Sequence, residues 1–322
     1  MMKCVTGSTG FLGAALSRRL LKENYKILAI TRKHKVQYNN FHENLKIVET
    51  GDNNLGFNWY QVLNKVDCLI HCAAKTHEAN KIKKSADKLS IYRKINVDLT
   101  RNLAEQAASI GVKRFIFLSS IKVNGERTVG ISSFKHNDIC NPEDAYGISK
   151  WEAEQALLEV SKQTGLEVII IRAPLIYGEG VKANFLRLLD LVYNTIPLPF
   201  ANINNLRSFV GLDNLIDLII RCIDHPKAPG EIFLVSDGED ISTPNLIKKL
   251  SQIMNKSTRL FSMPVSLMKV VSSLIDKSSE IDKLIGSLRI DNSHAHEILK
   301  WSPPYSLNEG LEKTINWYLK NK

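Results

Sequence analysis

Two side chains four positions apart, Tyr146 and Lys150, are the pair in this sequence best suited to acid–base chemistry. On a helix this spacing puts both on one face, so the ammonium can lie close to the phenol. A phenol has an ordinary pKa of about 10, and a neighbouring positive charge favours its ionised form. Tyr318 and Lys322 repeat the spacing, so the spacing alone is not specific. The first pair predicts a group that exchanges a proton with a substrate hydroxyl.

A hydroxyl for this pair is available at the end of an earlier apolar run, FIFLSS, at Phe115–Ser120. The run predicts a buried central strand, and ligands of such sheets bind beyond the carboxyl ends of the strands. A serine there could donate a hydrogen bond to the reacting oxygen while Tyr146 exchanges its proton. Ser119 and Ser120 are equally suited by this argument, and the residues alone do not separate them.

A glycine-rich turn, TGSTGFLG, lies between the first apolar run and an apolar-faced helical pattern. Gly7 would let the strand turn sharply, Gly10 would let the backbone approach a pyrophosphate, and Gly13 would let the helix pack on the sheet. The helix would begin at Phe11 and Leu12, with its amides and its dipole facing the phosphates. The position after a strand and before a helix favours dinucleotide binding over an ordinary turn.

The residue that recognises the adenosine ribose is expected at the end of the second strand, about 20 residues beyond the glycines. An NAD site usually has a carboxylate there, but this chain continues with Thr31 and Arg32. A guanidinium suits a 2′-phosphate, so we expect NADP(H) to be favoured and NAD(H) to be possible. A solvated loop charge is the alternative interpretation of Arg32. Asp52, after the third predicted strand, is a weaker candidate for the adenine amino group.

Short apolar runs alternate with helical patterns through the first half of the chain, which predicts stacked βαβ units. The expected fold class is α/β, a Rossmann-type doubly wound parallel sheet with a smaller C-terminal substrate-binding lobe. We expect an NAD(P)-binding domain over residues 1–176, with a return segment at 205–225, and the substrate-binding lobe mostly over 177–322. The predicted strands are Lys3–Val5, Lys26–Ile30, Leu45–Val48, Asp67–Cys72, Arg114–Leu118 and Glu167–Ile171. The predicted helices are Phe11–Glu23, Ile91–Ile110, Ala145–Gln163 and an amphipathic Ser266–Ile285 that packs on the lobe.

Composition argues against several other classes of protein. The 322 residues carry a formal charge of +10, but the lysines are dispersed without interleaved aromatic residues, so nucleic-acid binding is not expected. Such a field suits an anionic small ligand. No apolar run approaches the roughly 20 residues of a membrane helix, so we expect no stable membrane insertion and no signal peptide. Five cysteines without paired spacing indicate reduced thiols and a cytoplasmic protein, and no residue set indicates a metal.

Four segments occur in an order and spacing that resemble one enzyme family. They are TGSTGFLG, HCAA at His71–Ala74, FIFLSS and the Tyr146–Lys150 pair. Along essentially its whole length the chain resembles the extended short-chain dehydrogenase/reductases of the NAD-dependent epimerase/dehydratase family. The resemblance implies hydride transfer between NAD(P) and a nucleotide sugar, with Ser120 as the catalytic hydroxyl beside Tyr146 and Lys150. It also implies that Ala73 and Ala74 line the cofactor.

Further site residues are implied by the same resemblance. Asn96, in KINVDLT, falls where the family keeps an asparagine near the active site, with helix N-terminal chemistry as the alternative. Pro174, in IRAPLIYG, resembles the turn against the nicotinamide. Asn184, in the NFL run, and Arg207, in RSFV, resemble the contacts to the UDP diphosphate. A guanidinium there can hold a phosphate with two hydrogen bonds.

Three departures from the family's pattern concern the sugar pocket. Leu175 stands where many relatives carry an asparagine for the substrate. Asn124, in KVNGE, replaces the tyrosine of the common VYG turn. The second phosphate arginine has no clear counterpart late in the chain, where Lys283 or Arg289 could substitute.

A narrower resemblance, to bacterial UDP-N-acetylquinovosamine dehydrogenases, is carried by FLSSIKVNGE, YGISKWEAEQALL, GVKANFLRLL, FLVSDGEDIST and EIDKLIGSLRID. It implies reduction of UDP-4-keto-6-deoxy-N-acetylglucosamine at carbon 4, for surface polysaccharide synthesis. His77 and Lys122 are positions of this subgroup that could reach the sugar, but solvated or structural roles are the favoured interpretation. The alternative is a UDP-glucose or UDP-N-acetylglucosamine 4-epimerase that retains NAD. A second alternative is a non-catalytic NAD(P)-binding regulator, which the intact tyrosine, lysine and serine disfavour. The wider family also implies a homodimer through the two helices that flank the central strands.

Overall fold

The structure is a computed structural model that describes residues 1–32, 42–51, 56–76, 85–274 and 278–322. Its strands are β1 (Met2–Thr6), β2 (Lys26–Thr31), β3 (Leu45–Glu49), β4 (Val66–His71), β5 (Arg114–Ser120), β6 (Glu167–Ala173), β7 (Ile176–Tyr177), β8 (Arg207–Ser208), β9 (Val210–Gly211), β10 (Ile232–Leu234) and β11 (Asp240–Ile241).

The helices alternate with these strands in the first half of the chain and predominate near its end. They are α1 (Phe11–Lys22), α2 (Ser85–Arg93), α3 (Leu99–Ile110), α4 (Ala145–Thr164), α5 (Ala183–Tyr193), α6 (Leu212–Asp224), α7 (Thr243–Ile253), α8 (Val265–Leu274), α9 (Ser278–Ile285), α10 (Ser293–Leu299) and α11 (Leu307–Lys320). A π-helical turn, Lys94–Asp98, joins α2 to α3, and a 3₁₀ turn, Ile121–Val123, follows β5.

Seven parallel strands of the described chain form one sheet in the order β10-β6-β5-β4-β1-β2-β3. The chain runs outward from β1 through β2 and β3 and then returns to β4 on the other side of β1. Ligands of such sheets bind at this reversal, beyond the carboxyl ends of the strands. The α/β fold class with a doubly wound parallel sheet is therefore confirmed.

An apolar core covers each face of the sheet, which explains why its strands read as apolar runs. On one face α1 and α6 contribute Leu16 and Ile219, and this core also contains Ala295, Leu299 and Trp301 from near the end of the chain. The opposite face is covered by α3 and α4.

A third apolar core lies in the second half of the chain, between α5, α7 and α11. Phe11, at the start of α1, packs against both this core and the first one. Because α6 packs on the sheet and β10 forms its edge, part of the chain beyond residue 177 lies with the sheet. The division into domains at that residue stays a prediction.

Local departures from the predicted elements have physical causes. The helix predicted over Ile91–Ile110 begins earlier and contains the π-helical turn, whose extra residue changes the register without changing the apolar composition. The predicted amphipathic helix Ser266–Ile285 is two helices, α8 and α9. Among the helices described, none is both long and apolar enough to cross a membrane.

The packing of α1 onto the end of β1 depends on Gly13. A Cβ at this position would lie 2.2 Å from the carbonyl oxygen of Gly7, far inside van der Waals contact. The obstacle is backbone on both sides, so no side chain can rotate away to relieve it. The third glycine of the motif therefore sets the distance between helix and strand.

We expect Gly13→Ala to lower the free energy of unfolding by about 1–3 kcal/mol, because the added methyl group must displace the turn. Gly56→Ala is the matched control, since a Cβ there meets no atom of the described residues within 4 Å. Urea denaturation monitored by circular dichroism would measure both. Equal stability of the two variants would contradict this account of the glycine.

Candidate active site

The carboxyl ends of four neighbouring strands bring most of the predicted site residues to one crevice. The glycine turn follows β1, Ala73 and Ala74 follow β4, Ser120 ends β5, and Pro174 follows β6. Pro174 is buried, whereas Ala73 and Ala74 are partly exposed. Parallel strands end at the same edge of a sheet, so these segments, distant in sequence, become neighbours.

The turn after β1 forms a cradle that side chains would fill. Gly7 has a φ of +66°, and a Cβ there would lie 2.9 Å from the Cα and N atoms of Ala73. Gly10 donates its N–H to the carbonyl of Gly7 at 2.8 Å and precedes α1 in extended backbone. Among the described residues no side chain caps α1, so the amides of its first turn at Phe11 and Leu12 remain suited to an anion. The cradle fits a dinucleotide pyrophosphate.

A buried hydrogen-bond chain fixes the ends of β1 and β4 beneath this cradle. Thr6 Oγ1 accepts the N–H of Ala73 at 3.2 Å and lies 2.7 Å from Nδ1 of His71. On the other side of the ring, Nε2 lies 3.0 Å from Thr100 Oγ1, which donates to the carbonyl of Asn96 at 2.8 Å. Because the proton of Thr100 is already used, the ring must donate from Nε2 and accept at Nδ1. Burial lowers the pKa of His71 to about 3, so the ring is neutral at pH 7.

Asn96 lies buried inside the π-helical turn and ties the loop after β4 to α4. Its Oδ1 accepts the N–H of Lys75 at 2.8 Å, and its Nδ2 donates to the carbonyl of Lys75 at 3.2 Å and to Ser149 Oγ at 3.0 Å. Ser149 donates in turn to the carbonyl of Tyr146 at 2.8 Å. The residue sits within a continuous helical stretch and not at a helix N-terminus. Its contact with a cofactor stays a prediction.

The first turn of α4 carries Tyr146 and is held from two sides. Asp144 accepts the N–H of Gly147 at 2.7 Å and forms an ion pair with Lys122. Burial alone would raise the pKa of Asp144, but Lys122 and the bond from Gly147 hold it below its ordinary value. A Cβ on Gly147 would lie 2.8 Å from the carbonyl of Lys122, so the helix packs directly on the 3₁₀ turn. Lys122 is therefore engaged in holding the helix.

Burial dominates the ionisation of the acid–base pair. The ammonium of Lys150 lies 3.8 Å from the centroid of the Phe117 ring, and burial lowers its pKa to about 7 although Glu154 raises it. Burial also raises the pKa of the Tyr146 phenol, and the carboxylate of Asp144 adds to this. The protein's own groups thus keep Tyr146 protonated. The positive ring of a bound, oxidised nicotinamide would be an additional charge that favours the phenolate.

The two serines at the end of β5 differ in their surroundings. Ser119 is buried and donates a hydrogen bond to the carboxylate of Glu154. Ser120 is partly exposed, and its Oγ accepts the N–H of Lys122 at 3.3 Å. Successive side chains of a strand point to opposite faces, which separates the two hydroxyls. The geometry favours Ser120 as the hydroxyl available to a substrate.

The end of β2 presents both signs of charge. Arg32 follows the strand and is exposed. Glu49, at the end of β3, lies opposite Thr31 in the register of the sheet. A carboxylate therefore approaches this end from the neighbouring strand, a contribution that reading β2 alone did not reveal. Asp52 lies outside the described residues, as does His77.

Arg207 is the best anion-binding candidate of the second half of the chain. It is partly buried in β8, and its Nη1 donates to the carbonyl of Gly286 at 2.9 Å. Burial lowers its pKa to about 10, whereas Glu126 acts in the opposite direction. Asn184 lies exposed on the first turn of α5, where its Oδ1 is 3.5 Å from a guanidinium nitrogen of Arg187.

The positions that depart from the family's pattern have structural surroundings of their own. Asn124 is buried, accepts from the Arg172 guanidinium at 3.0 Å and donates to the carbonyl of Lys135 at 3.1 Å. Arg289 forms an ion pair with Asp240 at 2.7 Å, so its guanidinium is already engaged. Leu175 is 38% exposed after Pro174 and leaves an apolar surface there. Within the described ranges no group of three or more His, Cys, Asp or Glu residues could hold a metal ion.

Sequence reasoning missed Glu154, the fully buried carboxylate between Ser119 and Arg172. The signal was present, because Glu154 continues the four-residue spacing of Tyr146 and Lys150 along α4. An acidic residue on a helix is ordinarily solvated, so the pattern alone gave no reason to select it.

Comparison with known proteins relates this geometry to nucleotide-sugar enzymes. The model of the NAD dependent epimerase/dehydratase family matches residues 4–236. A UDP-glucose 4-epimerase of Vibrio cholerae is 45% identical over 318 residues, which cover 98% of this chain and 95% of that protein. An N-acetyl-alpha-D-glucosaminyl-diphospho-ditrans,octacis-undecaprenol 4-epimerase of Escherichia coli O157:H7 is 27% identical, over 71% of this chain and 72% of its own length.

Solved structures share the fold over the whole chain. The UDP-glucuronic acid 4-epimerase of Bacillus cereus, in complex with NAD, superposes with a TM-score of 0.80 at 21% identity, covering 100% of this chain and 99% of that one. The UDP-glucose 4-epimerase of Thermotoga maritima, with UDP-glucose, gives 0.79 at 21% identity and the same coverage.

The two serines of β5 provide a matched pair of substitutions. We expect Ser120→Ala to lower kcat by about 100-fold or more while stability stays within about 0.5 kcal/mol of wild type. Ser119→Ala should instead lower the free energy of unfolding by about 1–3 kcal/mol, because it removes a donor from a buried carboxylate. Steady-state kinetics and thermal unfolding measured on both variants would check this, and the reverse pattern would make Ser119 the catalytic hydroxyl.

Proposed function

Because the chain belongs to the NAD-dependent epimerase/dehydratase family, we propose that it is a UDP-sugar 4-epimerase that retains its NAD through the reaction. The observation that carries this proposal is the first turn of α4, with Tyr146 partly exposed and Lys150 buried, on a helix packed against β5, which ends at Ser120 on the same edge of the sheet as the glycine cradle. The epimerase is preferred to the reductase because the relative from Vibrio cholerae, 45% identical, is a UDP-glucose 4-epimerase.

In this proposal Tyr146 is the acid–base residue. It takes the proton of the sugar's 4-hydroxyl as carbon 4 is oxidised and returns a proton to the oxygen after the 4-keto sugar has presented its other face. Ser120 donates a hydrogen bond to the same oxygen throughout, and the ammonium of Lys150 favours the phenolate. Bound NAD supplies the two-electron chemistry at carbon 4. The residues of the cradle, among them Gly7, Gly10 and Gly13, would hold its pyrophosphate, with Ala73, Ala74, Asn96 and Pro174 along the rest of the cofactor.

Arg207 and Asn184 would hold the UDP diphosphate in this reaction. The Arg207 guanidinium has five N–H donors, and the structure assigns one nitrogen to the Gly286 carbonyl, leaving donors for an anion. Its partial burial strengthens a hydrogen bond to phosphate, because water competes less for the same donors. Lys283 remains the candidate for a second phosphate contact, since Arg289 is paired with Asp240.

A second candidate is the NADP(H)-dependent reductase of UDP-4-keto-6-deoxy-N-acetylglucosamine, which forms UDP-N-acetylquinovosamine. Arg32, exposed at the end of β2, favours it, because a guanidinium there suits a 2′-phosphate. Glu49 from β3 favours NAD by the opposite argument. Both candidates use the same half-reaction at carbon 4, so the residues of the crevice do not distinguish them.

Finer points of the sequence analysis stay predictions. They are the domain division at residue 177, the cytoplasmic location and the homodimer through the two helices that flank the central strands. The non-catalytic regulator is disfavoured, because a chain without chemistry has no need to bury an ammonium beside a phenol at the end of the sheet.

The first experiment incubates the purified protein with UDP-glucose or UDP-N-acetylglucosamine, without added cofactor, and identifies the product sugar. We expect interconversion of the 4-epimers, and we expect Tyr146→Phe to lower turnover by about 100-fold or more while it still carries NAD. Stoichiometric consumption of NADPH or NADH with the 4-keto-6-deoxy sugar, and no interconversion, would make the chain the reductase. Near-normal turnover by Tyr146→Phe would remove the tyrosine from the mechanism.

Arg207→Met should raise the KM for the UDP-sugar by about 10–100-fold and change kcat much less, because it removes charged hydrogen bonds to a group remote from carbon 4. The matched control is Arg221→Met on α6. This substitution removes another guanidinium that donates to a backbone carbonyl, the carbonyl of Leu299. Initial rates over a range of UDP-sugar concentrations measure both variants. An unchanged KM in Arg207→Met would exclude the residue from the diphosphate site.

A further inference from the structure

A fully buried carboxylate lies on the helix that carries the acid–base pair. Glu154 has no exposed surface, and its two oxygens contact the Arg172 guanidinium at 2.6, 3.1 and 3.2 Å. Arg172 is buried too, at 2% exposure. The hydroxyl of Ser119 donates a further hydrogen bond to the same carboxylate. A buried ion pair with this many hydrogen bonds has the geometry needed to offset much of its desolvation.

The position of Glu154 connects the two elements that carry the catalytic groups. It lies on α4, one helical turn beyond Lys150 and two beyond Tyr146, so the three side chains share a face. Ser119 precedes Ser120 at the end of β5. The carboxylate therefore fixes the helix of the acid–base pair against the strand of the hydroxyl.

Arg172 extends the connection to the wall of the crevice. It lies near the end of β6, shortly before Pro174. Its guanidinium also donates to Oδ1 of Asn124 at 3.0 Å and to Sγ of Cys140 at 3.2 Å. Both acceptors belong to the loop between β5 and α4. One ion pair thus joins β5, β6, α4 and this loop.

The negative charge of Glu154 also acts on Lys150. Burial lowers the pKa of Lys150, and Glu154 is the first of the groups that oppose this effect. A charge one helical turn away, at an effective dielectric constant of about 20, changes a pKa by about one to two units. Phe117 offers the ammonium only the face of its ring. The carboxylate of Glu154 therefore opposes the effect of burial on the pKa of Lys150.

Other titratable groups face this pair from the surrounding elements. Cys72 and His71, at the end of β4, face Lys150, and the thiol of Cys72 favours the ammonium when it ionises. Asp144, before α4, and Tyr92, on α2, face Tyr146 and disfavour its phenolate. His71 is neutral at pH 7 and Cys72 is protonated, because burial lowers the pKa of the first and raises the pKa of the second. None of these groups replaces the carboxylate of Glu154.

We propose that Glu154 is a positioning residue for catalysis, whose buried ion pair with Arg172 both holds Tyr146 opposite Ser120 and supplies the negative charge that balances the Lys150 ammonium. The proposal rests on the proposed function, since it assigns Glu154 a role through the Tyr146–Lys150 pair. A purely structural ion pair between Glu154 and Arg172 would leave the pKa values of Tyr146 and Lys150 unchanged when it is removed, so their titration distinguishes the proposed role from a structural one.

The test is Glu154→Gln in the NAD-loaded protein, with Glu167→Gln as the matched control. Glu167 also accepts from an arginine, Arg114, at 2.6 Å, and this pair joins the first residues of β5 and β6, at the opposite end of the strands from Ser119 and Arg172. Removing the carboxylate of Glu154 leaves Arg172 uncompensated, and the added positive potential lowers the pKa of both Lys150 and Tyr146. We expect the pH profile of kcat to move to lower pH by about one unit. The KM for the UDP-sugar should stay within about twofold.

A second readout does not depend on turnover. Ultraviolet difference titration of the Tyr146 phenolate, with Tyr146→Phe as the blank, should give a lower pKa in Glu154→Gln than in wild type. Glu167→Gln should show neither shift, even where its thermal stability falls as much. If wild type turns over no UDP-sugar, the proposed function fails, but the phenolate titration still tests Glu154.

Three results would overturn the role of Glu154. The first is a pH profile and a phenolate titration of Glu154→Gln that superimpose on wild type. The second is an equal shift in Glu167→Gln. Should Glu154→Gln not fold, the neutral double variant Glu154→Gln/Arg172→Gln removes both charges, and we expect it to fold. Its shift should have the same direction but be smaller, because the charge of Arg172 is gone and only the loss of the Glu154 charge acts on Lys150. Failure of both variants to fold is the third result, because it would assign the ion pair to stability alone.

Discussion

The seating of α4 on the sheet buries an ammonium and a carboxylate on one helix face, and the rest of the crevice depends on how these two charges are balanced. A charge removed from water is costly unless a partner and hydrogen bonds replace the solvent. Glu154 has Arg172 and Ser119 as such partners. For Lys150, the Phe117 ring and the carboxylate of Glu154 offset the effect of burial incompletely, and its pKa falls to about 7. A shift of the helix along the sheet would break these contacts together, so the position of Tyr146 is narrowly determined.

The glycine cradle and the α4 end of the crevice differ in the groups that carry their charge. At the glycine cradle the anion-binding surface consists of backbone amides and the positive end of the α1 dipole, without an ionised side chain in the turn itself. The groups beneath it, Thr6, His71 and Thr100, are neutral and fully hydrogen-bonded. At the α4 end the proposed reaction requires proton transfer, and the ionisable side chains of Lys150 and Glu154 are buried there. The sheet keeps the two environments side by side because β1, β4 and β5 end at the same edge.

Much of the fold was readable from the sequence because buried parallel strands leave a simple signal. The six predicted strands correspond to β1–β6 within a residue or two, since apolar cores cover both faces of the sheet, although β3, at its edge, is partly exposed. The short edge strand β10 gave no such signal, because three residues cannot establish a periodicity. The order of the site residues along the chain also predicted that they would meet at one edge, as Ala73 and Ser120 do.

What the sequence could not supply were contacts made by partners distant in the chain. The residues alone do not distinguish Ser119 from Ser120. The structure does, because the hydroxyl of Ser119 donates to the carboxylate of Glu154. Arg289 reads as a free cation until Asp240 is found beside it. The π-helical turn around Asn96 has the composition of ordinary helix and is recognisable only from its backbone. In each case the deciding quantity is a distance between side chains, which spacing along one chain does not contain.

The contribution of Ala295, Leu299 and Trp301 to the core beneath α1 and α6 has a consequence for synthesis of the chain. Trp301 also donates a hydrogen bond to Asp217 of α6 at 2.8 Å, so this late segment is bonded to a helix that packs on the sheet. The nucleotide-binding half therefore emerges from the ribosome before the residues that complete one of its faces. Its apolar surface stays uncovered until residues 295–301 have been made, and the two halves of the chain mature together instead of in sequence.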